Sequence, residues 1–161
     1  KEAIRAKWIS IDTNTKMRYA VFQTLKKIAA AANGMSLFEL ATAGKRLGKT
    51  FNAQVKHSSA HLLLVRHNED VYLLQNTKNK KWMTPGGEVD SVRGTHVLFN
   101  TMKREFEEET GGDKSGNTHL PQLKKGWSYY DGEGKDLNGN HKTSRTYIAR
   151  IDESSPWDVP L

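Results

Sequence analysis

At 161 residues the chain suits one compact domain with an appended segment, and that length is enough to bury a sizeable core. It has no cysteine, which excludes a disulfide framework, a thiolate nucleophile and cysteine-ligated zinc. Any metal must then take oxygen or imidazole ligands, which favours hard cations such as Mg²⁺ or Mn²⁺.

The formal charge of +7 is unevenly spread, since residues 1–60 hold 11 Lys and Arg against three acids while residues 61–161 hold 14 against 15. A basic segment beside a near-neutral domain reads either as a surface that steers a polyanion, nucleic acid being the commonest, or as solubilised helix faces. No run of 18 or more apolar residues occurs, and the start lacks the pattern of a signal peptide. The expectation is an intracellular protein that does not engage a membrane.

In chain order, Met17, Val21, Leu25, Ile28 and Ala32 recur at helical steps, so residues 17–32 are predicted to form an amphipathic helix ended by Asn33-Gly34. Ser36 with Glu39 makes a capping box for a second helix through Leu37, Leu40 and Ala41, with Gly48 as its stop. The period then changes to short apolar runs at 61–66 and 71–75, which read as paired strands around the turn 67–70. Trp82 to Thr84 suggests another short strand before Pro85-Gly86-Gly87, which breaks regular structure. Helical period returns over 95–110, with Leu98, Phe99, Met102 and Phe106 on one face and Gly111-Gly112 as terminator. Residues 127–131 and 143–151 read as strands flanking a long polar loop. The order predicts an α+β or mixed α/β domain over 58–161, preceded by a basic helical segment over 1–57.

In the helix over 95–110, Glu105, Glu108 and Glu109 sit at i, i+3 and i+4 and share one side. Like charges so crowded oppose one another unless cations compensate, and a divalent-metal cluster is a natural compensator. The alternative is a solvated acidic face with Arg104 as partial counter-charge. Among other candidates, Lys78, Lys80 and Lys81 suit either substrate phosphates or a solvated loop. Trp127, Tyr129 and Tyr130 offer flat faces to a base, although strand alternation would bury some of them. His57 and His61 are the only histidines with a paired spacing, across a loop-to-strand junction.

The segment Arg104-Glu105-Phe106-Glu107-Glu108-Glu109-Thr110-Gly111 resembles the helical half of the Nudix box, and Trp82 to Gly87 resembles the stretch that leads into it. The resemblance covers roughly residues 58–151. It implies a mixed sheet sandwiched between helices, and a hydrolase that cleaves a pyrophosphate linkage with Mg²⁺ or Mn²⁺. It also implies metal ligation by Glu105, Glu108 and Glu109 with a backbone carbonyl near Gly86 or Gly87, and an Arg104 that orients a glutamate. Catalytic roles therefore fall on Glu105, Arg104 and Glu108, metal binding on Glu105, Glu108, Glu109 and Gly87, and substrate binding on Lys81, Trp127, Tyr129 and Tyr130. The water-deprotonating base is Glu105 or an acid outside the box, Glu133 or Glu153. The sequence departs from the pattern where Gly87 lies seventeen before Arg104, three more than usual. That places His96 at the first box Glu, with Glu88 or Asp90 as substitutes, and Gly112 replaces the final apolar residue. By the family's substrate-correlated positions, Tyr129 fits the dinucleoside polyphosphate pattern and Trp127 departs from the ADP-ribose one. The basic segment and the likeness to decapping members favour capped or 5′-pyrophosphate-linked RNA. The alternatives are ADP-ribose or dinucleoside polyphosphate hydrolysis, and a non-catalytic Nudix fold that binds RNA or protein.

Overall fold

The computed structural model describes residues 3–9, 19–51, 57–76, 80–89, 97–109, 127–135 and 138–151. They form strands β1 (Ala3–Ile9), β2 (Arg46–Gly48), β3 (Ser59–Val65), β4 (Val71–Asn76), β5 (Trp82–Met83), β6 (Gly86–Glu88), β7 (Ser128–Lys135) and β8 (His141–Arg150). The helices are α1 (Tyr19–Ala31), α2 (Leu37–Leu40) and α3 (Val97–Glu109). The strands make one mixed sheet in the order β1-β4-β3-β8-β7-β2, with β5 added to β4 and β6 to β3. The β3–β8 and β2–β7 pairs are parallel and the others antiparallel. This is an α+β architecture. No described helix is long and apolar enough to cross a membrane.

Strand alternation divides the buried residues into two cores, one on each face of the sheet. Leu63, Val65, Val71, Leu73 and Ile148 pack with Leu25, Ile28, Ala32, Leu37, Leu40 and Ala41 of the α1–α2 layer. Ala60, Leu62, Leu64, Tyr72, Leu74, Met83 and Ala149 pack with Met102 and Phe106 of α3. Leu98, Phe99, Met102 and Phe106 thus form the apolar face that their spacing predicts. Met102 and Phe106 are fully buried, and each holds α3 to the sheet with about 2–3 kcal/mol of transferred apolar surface.

The predicted helical start meets the structure unevenly. Asn33 and Gly34 do end α1, both in the left-handed region (φ +53° and +87°), and the Ser36 hydroxyl accepts from the Glu39 amide at 3.1 Å. The second helix is a single turn, however, and Gly48 closes β2 rather than a helix. A stronger cap comes from afar: the Glu69 carboxylate, on the β3–β4 turn, accepts the Leu37 and Phe38 amides at 2.7 and 3.0 Å. Residues read as helical also contain β1 and β2, which supply two strands of the sheet. Pro85-Gly86-Gly87 likewise does not interrupt the sheet, because Gly86 and Gly87 pair with His61 and Ala60. The polar loop between the last two strands is shorter than its composition predicts, since β7 and β8 pair from Ser128–Ile148 out to Lys135–His141. Met17, Asp90, His96, Gly111, Gly112 and Glu153 lie outside the described residues.

Candidate active site

The carboxylates of α3 meet β6 because Met102 and Phe106 fix the helix's rotation over the sheet. Glu105 lies directly over Gly87, where an added Cβ would stand 2.4 Å from the Glu105 Cδ and 2.6 Å from its Oε1. One turn on, Glu109 Oε1 accepts the Gly86 amide at 2.9 Å. Gly86 cannot be another residue without disturbance: its φ is +155°, and a Cβ would come within 2.5 Å of the Ala60 carbonyl. Gly87 therefore lets β6 approach α3, Gly86 lets it approach β3, and together they bring backbone and carboxylates into one site. Beneath it Tyr72 is fully buried, and burial together with the Glu109 charge pushes its pKa up.

Arg104 answers the carboxylates only loosely, with Nη2 3.5 Å from Glu105 Oε1 and Nε 3.8 Å from Glu108 Oε1. Glu105 keeps 22% of its side-chain exposure and Glu108 57%, so the first is sheltered and the second faces water. All of these acids lie in the C-terminal half of α3, where the helix dipole disfavours negative charge, and its last turn holds no basic residue. The structure thus brings Glu105, Glu109, Gly86 and Gly87 together and leaves Glu108 at the rim. Among the described residues no three His, Asp or Glu side chains close into a metal cage. The donors nevertheless suit Mg²⁺ or Mn²⁺ chemically, being hard carboxylate oxygens on adjacent turns beside the half-buried backbone of Gly86 and Gly87.

A second cluster shares this face of the sheet. Trp127 and Tyr147 border the α3 core, so alternation also turns Tyr129, Asp131, Glu133 and Arg145 toward α3. Arg145 holds Asp131 bidentately, with Nε to Oδ1 at 2.8 Å and Nη2 to Oδ2 at 2.9 Å, and its guanidinium stacks 3.8 Å from the Tyr129 ring centroid. His57 Nε2 stands 3.3 Å from the same Oδ1. Burial alone would raise the Asp131 pKa, but His57 and Arg145 outweigh it and hold the carboxyl below the usual carboxylate range. Edge-to-face contacts of 5.7–6.3 Å link Phe99 to Tyr147 and Trp127, and Tyr147 to Tyr129. These four aromatic residues all remain half-buried.

Tyr130 is separated from its predicted companions. It packs against the α1–α2 core, on the face opposite the carboxylates, because neighbours in a strand point to opposite sides. Lys81 sits half-buried just before β5. Glu133 is bound by Lys49 and lies 3.1 Å from His141, and Lys49 above all draws its pKa down, which makes it a weak base. Sequence reading missed Arg145 and Asp131, and it weighed His57 only as a partner of His61, not of Asp131. The only signal was a charged residue at alternate strand positions, and pairing them requires the hairpin register. No family model, curated protein or solved structure matches the chain.

Proposed function

We propose that the protein is a divalent-metal-dependent hydrolase of the Nudix type. On this reading it cleaves a phosphoanhydride bond in a nucleoside diphosphate linked to another moiety, with capped or 5′-pyrophosphate-linked RNA favoured over ADP-ribose and dinucleoside polyphosphates. One observation carries the reading: the box-like acids Glu105 and Glu109 converge on Gly86–Gly87, the stretch that resembles the approach to that box. Glu105, Glu108 and Glu109 would hold Mg²⁺ or Mn²⁺, which supplies charge to neutralise phosphate oxygens and acidify water. The chain's own residues do the rest. Gly86 anchors Glu109, Gly87 leaves room for Glu105, and Arg104 offsets the mutual repulsion of the acids. Water attacks phosphorus, the bridging P–O bond breaks, and the sheltered Glu105 accepts the proton while Glu133 stays engaged with Lys49.

The test is product analysis against capped RNA, ADP-ribose, dinucleoside polyphosphates, nucleotides and diphosphoinositol phosphates, with and without Mg²⁺ and Mn²⁺. Glu105→Gln, Glu108→Gln and Glu109→Gln should each lower turnover by roughly 10²-fold or more while the fold survives, since each amide keeps a side-chain acceptor and relieves repulsion. Near-wild-type turnover in all three would overturn the assignment. The open arrangement of the carboxylates favours a second reading, a non-catalytic module that binds RNA or protein, and metal-independent binding without any cleavage would select it.

A further inference from the structure

We propose that the α3-facing side of the sheet is a track for single-stranded RNA, which crosses the basic β2 edge and leads to the carboxylates at Gly86–Gly87. The proposal rests on the hydrolase reading for the identity of the reacting end. Strand register sets Gly48, Asp131, Arg145, Ala60 and Gly87 in one row across β2, β7, β8, β3 and β6, which measures the span beneath the surface rather than forming it, since Asp131 and Ala60 are buried. Four interstrand steps make that row about 19 Å long.

Cations gather at its far end. Lys45, Arg46 and Lys49 are exposed on or beside β2. In the neighbouring row on the same face, Tyr129 pairs in register with Arg46 and Tyr147, and the Arg145 guanidinium backs its ring at 3.8 Å. Asp131 fixes that guanidinium through two hydrogen bonds, so the platform is rigid before any ligand arrives. Tyr147, Trp127 and Phe99 continue the aromatic surface toward α3.

Cations followed by rings match a polymer whose phosphates and bases both lie open, which is the chemistry of a single strand. A duplex hides its base faces. A free dinucleotide is too short to need the basic edge, and an acidic protein segment would use the lysines but leave the rings idle.

The experiment measures fluorescence anisotropy of a 3′-labelled, unstructured RNA of about 15 nucleotides on the full chain carrying Glu105→Gln, so that binding is read without cleavage. Adding Lys45→Gln, Arg46→Gln and Lys49→Gln together should raise Kd about tenfold or more and lower the slope of log Kd against log salt by about 2. Tyr129→Leu should raise Kd roughly 5- to 100-fold with the slope unchanged, Tyr129→Phe should restore it, and urea denaturation of Tyr129→Leu with near-wild-type stability separates lost stacking from lost folding. The track is overturned if the triple variant keeps wild-type affinity and slope, or if duplex RNA and polyglutamate compete as well as the single strand. RNA binding through these residues by a protein that hydrolyses no anhydride would refute the hydrolase reading alone. Cleavage of short cap dinucleotides combined with a failed track would refute the track alone.

Discussion

Replacing Gly87 and Gly86 one at a time by alanine should separate function from stability. At Gly87 the new Cβ would meet the Glu105 carboxyl at 2.4–2.6 Å, roughly 1 Å inside ordinary contact. The obstacle is a flexible side chain from its Cγ outward, at 2.7 Å, and Gly87 has no positive φ, so the side chain turns aside and the fold loses no more than about 1 kcal/mol. If Glu105 acts in the proposed hydrolysis, a shift of that size costs about 10²-fold in turnover. At Gly86 the Cβ would meet the Ala60 carbonyl at 2.5 Å and His61 Nδ1 at 2.3 Å, with φ at +155°. Strand β3 cannot give way, because Ala60, Leu62 and Leu63 are fully buried between the two helical layers. Gly86→Ala should therefore destabilise the protein by about 3 kcal/mol. Urea denaturation measures the stabilities, while cleavage of capped RNA and Mn²⁺ affinity by calorimetry report the carboxylate geometry. Wild-type turnover and Mn²⁺ affinity in Gly87→Ala would refute the placement of Glu105, and a Gly86→Ala protein as stable as wild type would refute the close approach of β6 to β3.

Three further outcomes follow from named contacts. Asp131→Asn should cost about 3 kcal/mol at pH 7, the lower end for a broken buried pair because Arg145 keeps 20% of its side-chain exposure. Since folding depresses the Asp131 pKa, its contribution is present above the ordinary carboxylate value near ~4 and is lost as pH falls through the lower folded value. Urea titrations at pH 7 and pH 3 should show the gap between mutant and wild type narrowing, and an equal gap at both would contradict the ion-pair account. Glu69→Ala removes the acceptor of two α2 amides and should lower stability by about 1–2 kcal/mol, with Glu69→Gln losing less; equal losses would mean that the charge is irrelevant to the cap. On the proposed hydrolase reading, His96→Ala should reduce turnover far less than Glu105→Gln, since an imidazole supplies no carboxylate, and equal losses would make His96 a ligand or an acid.

What the sequence could determine is what local periodicity encodes. The buried faces of α1 and α3, the Asn33-Gly34 stop, the Ser36 cap, strands β3 and β4, and the shared side of Glu105, Glu108 and Glu109 all follow from spacing over one or two turns or a few alternations. The alternation Ile4, Ala6, Trp8 was also present, but nothing nearby in the chain shows that β1 pairs with β4, some seventy residues away. Three-residue strands such as β2 and β6 carry too little pattern to be read at all, and Gly86-Gly87 resembles a break until β3 provides its partner. Alternation implies that Tyr129 and Tyr130 face opposite ways, yet only packing decides which of them shares a face with α3. The Arg145–Asp131–Tyr129 cluster, and the row that joins it to Gly87, exist only once four interstrand registers are set together. Hydrogen bonding within a helix is local and can be read from spacing. Strand pairing is a choice of distant partners, made by the whole core.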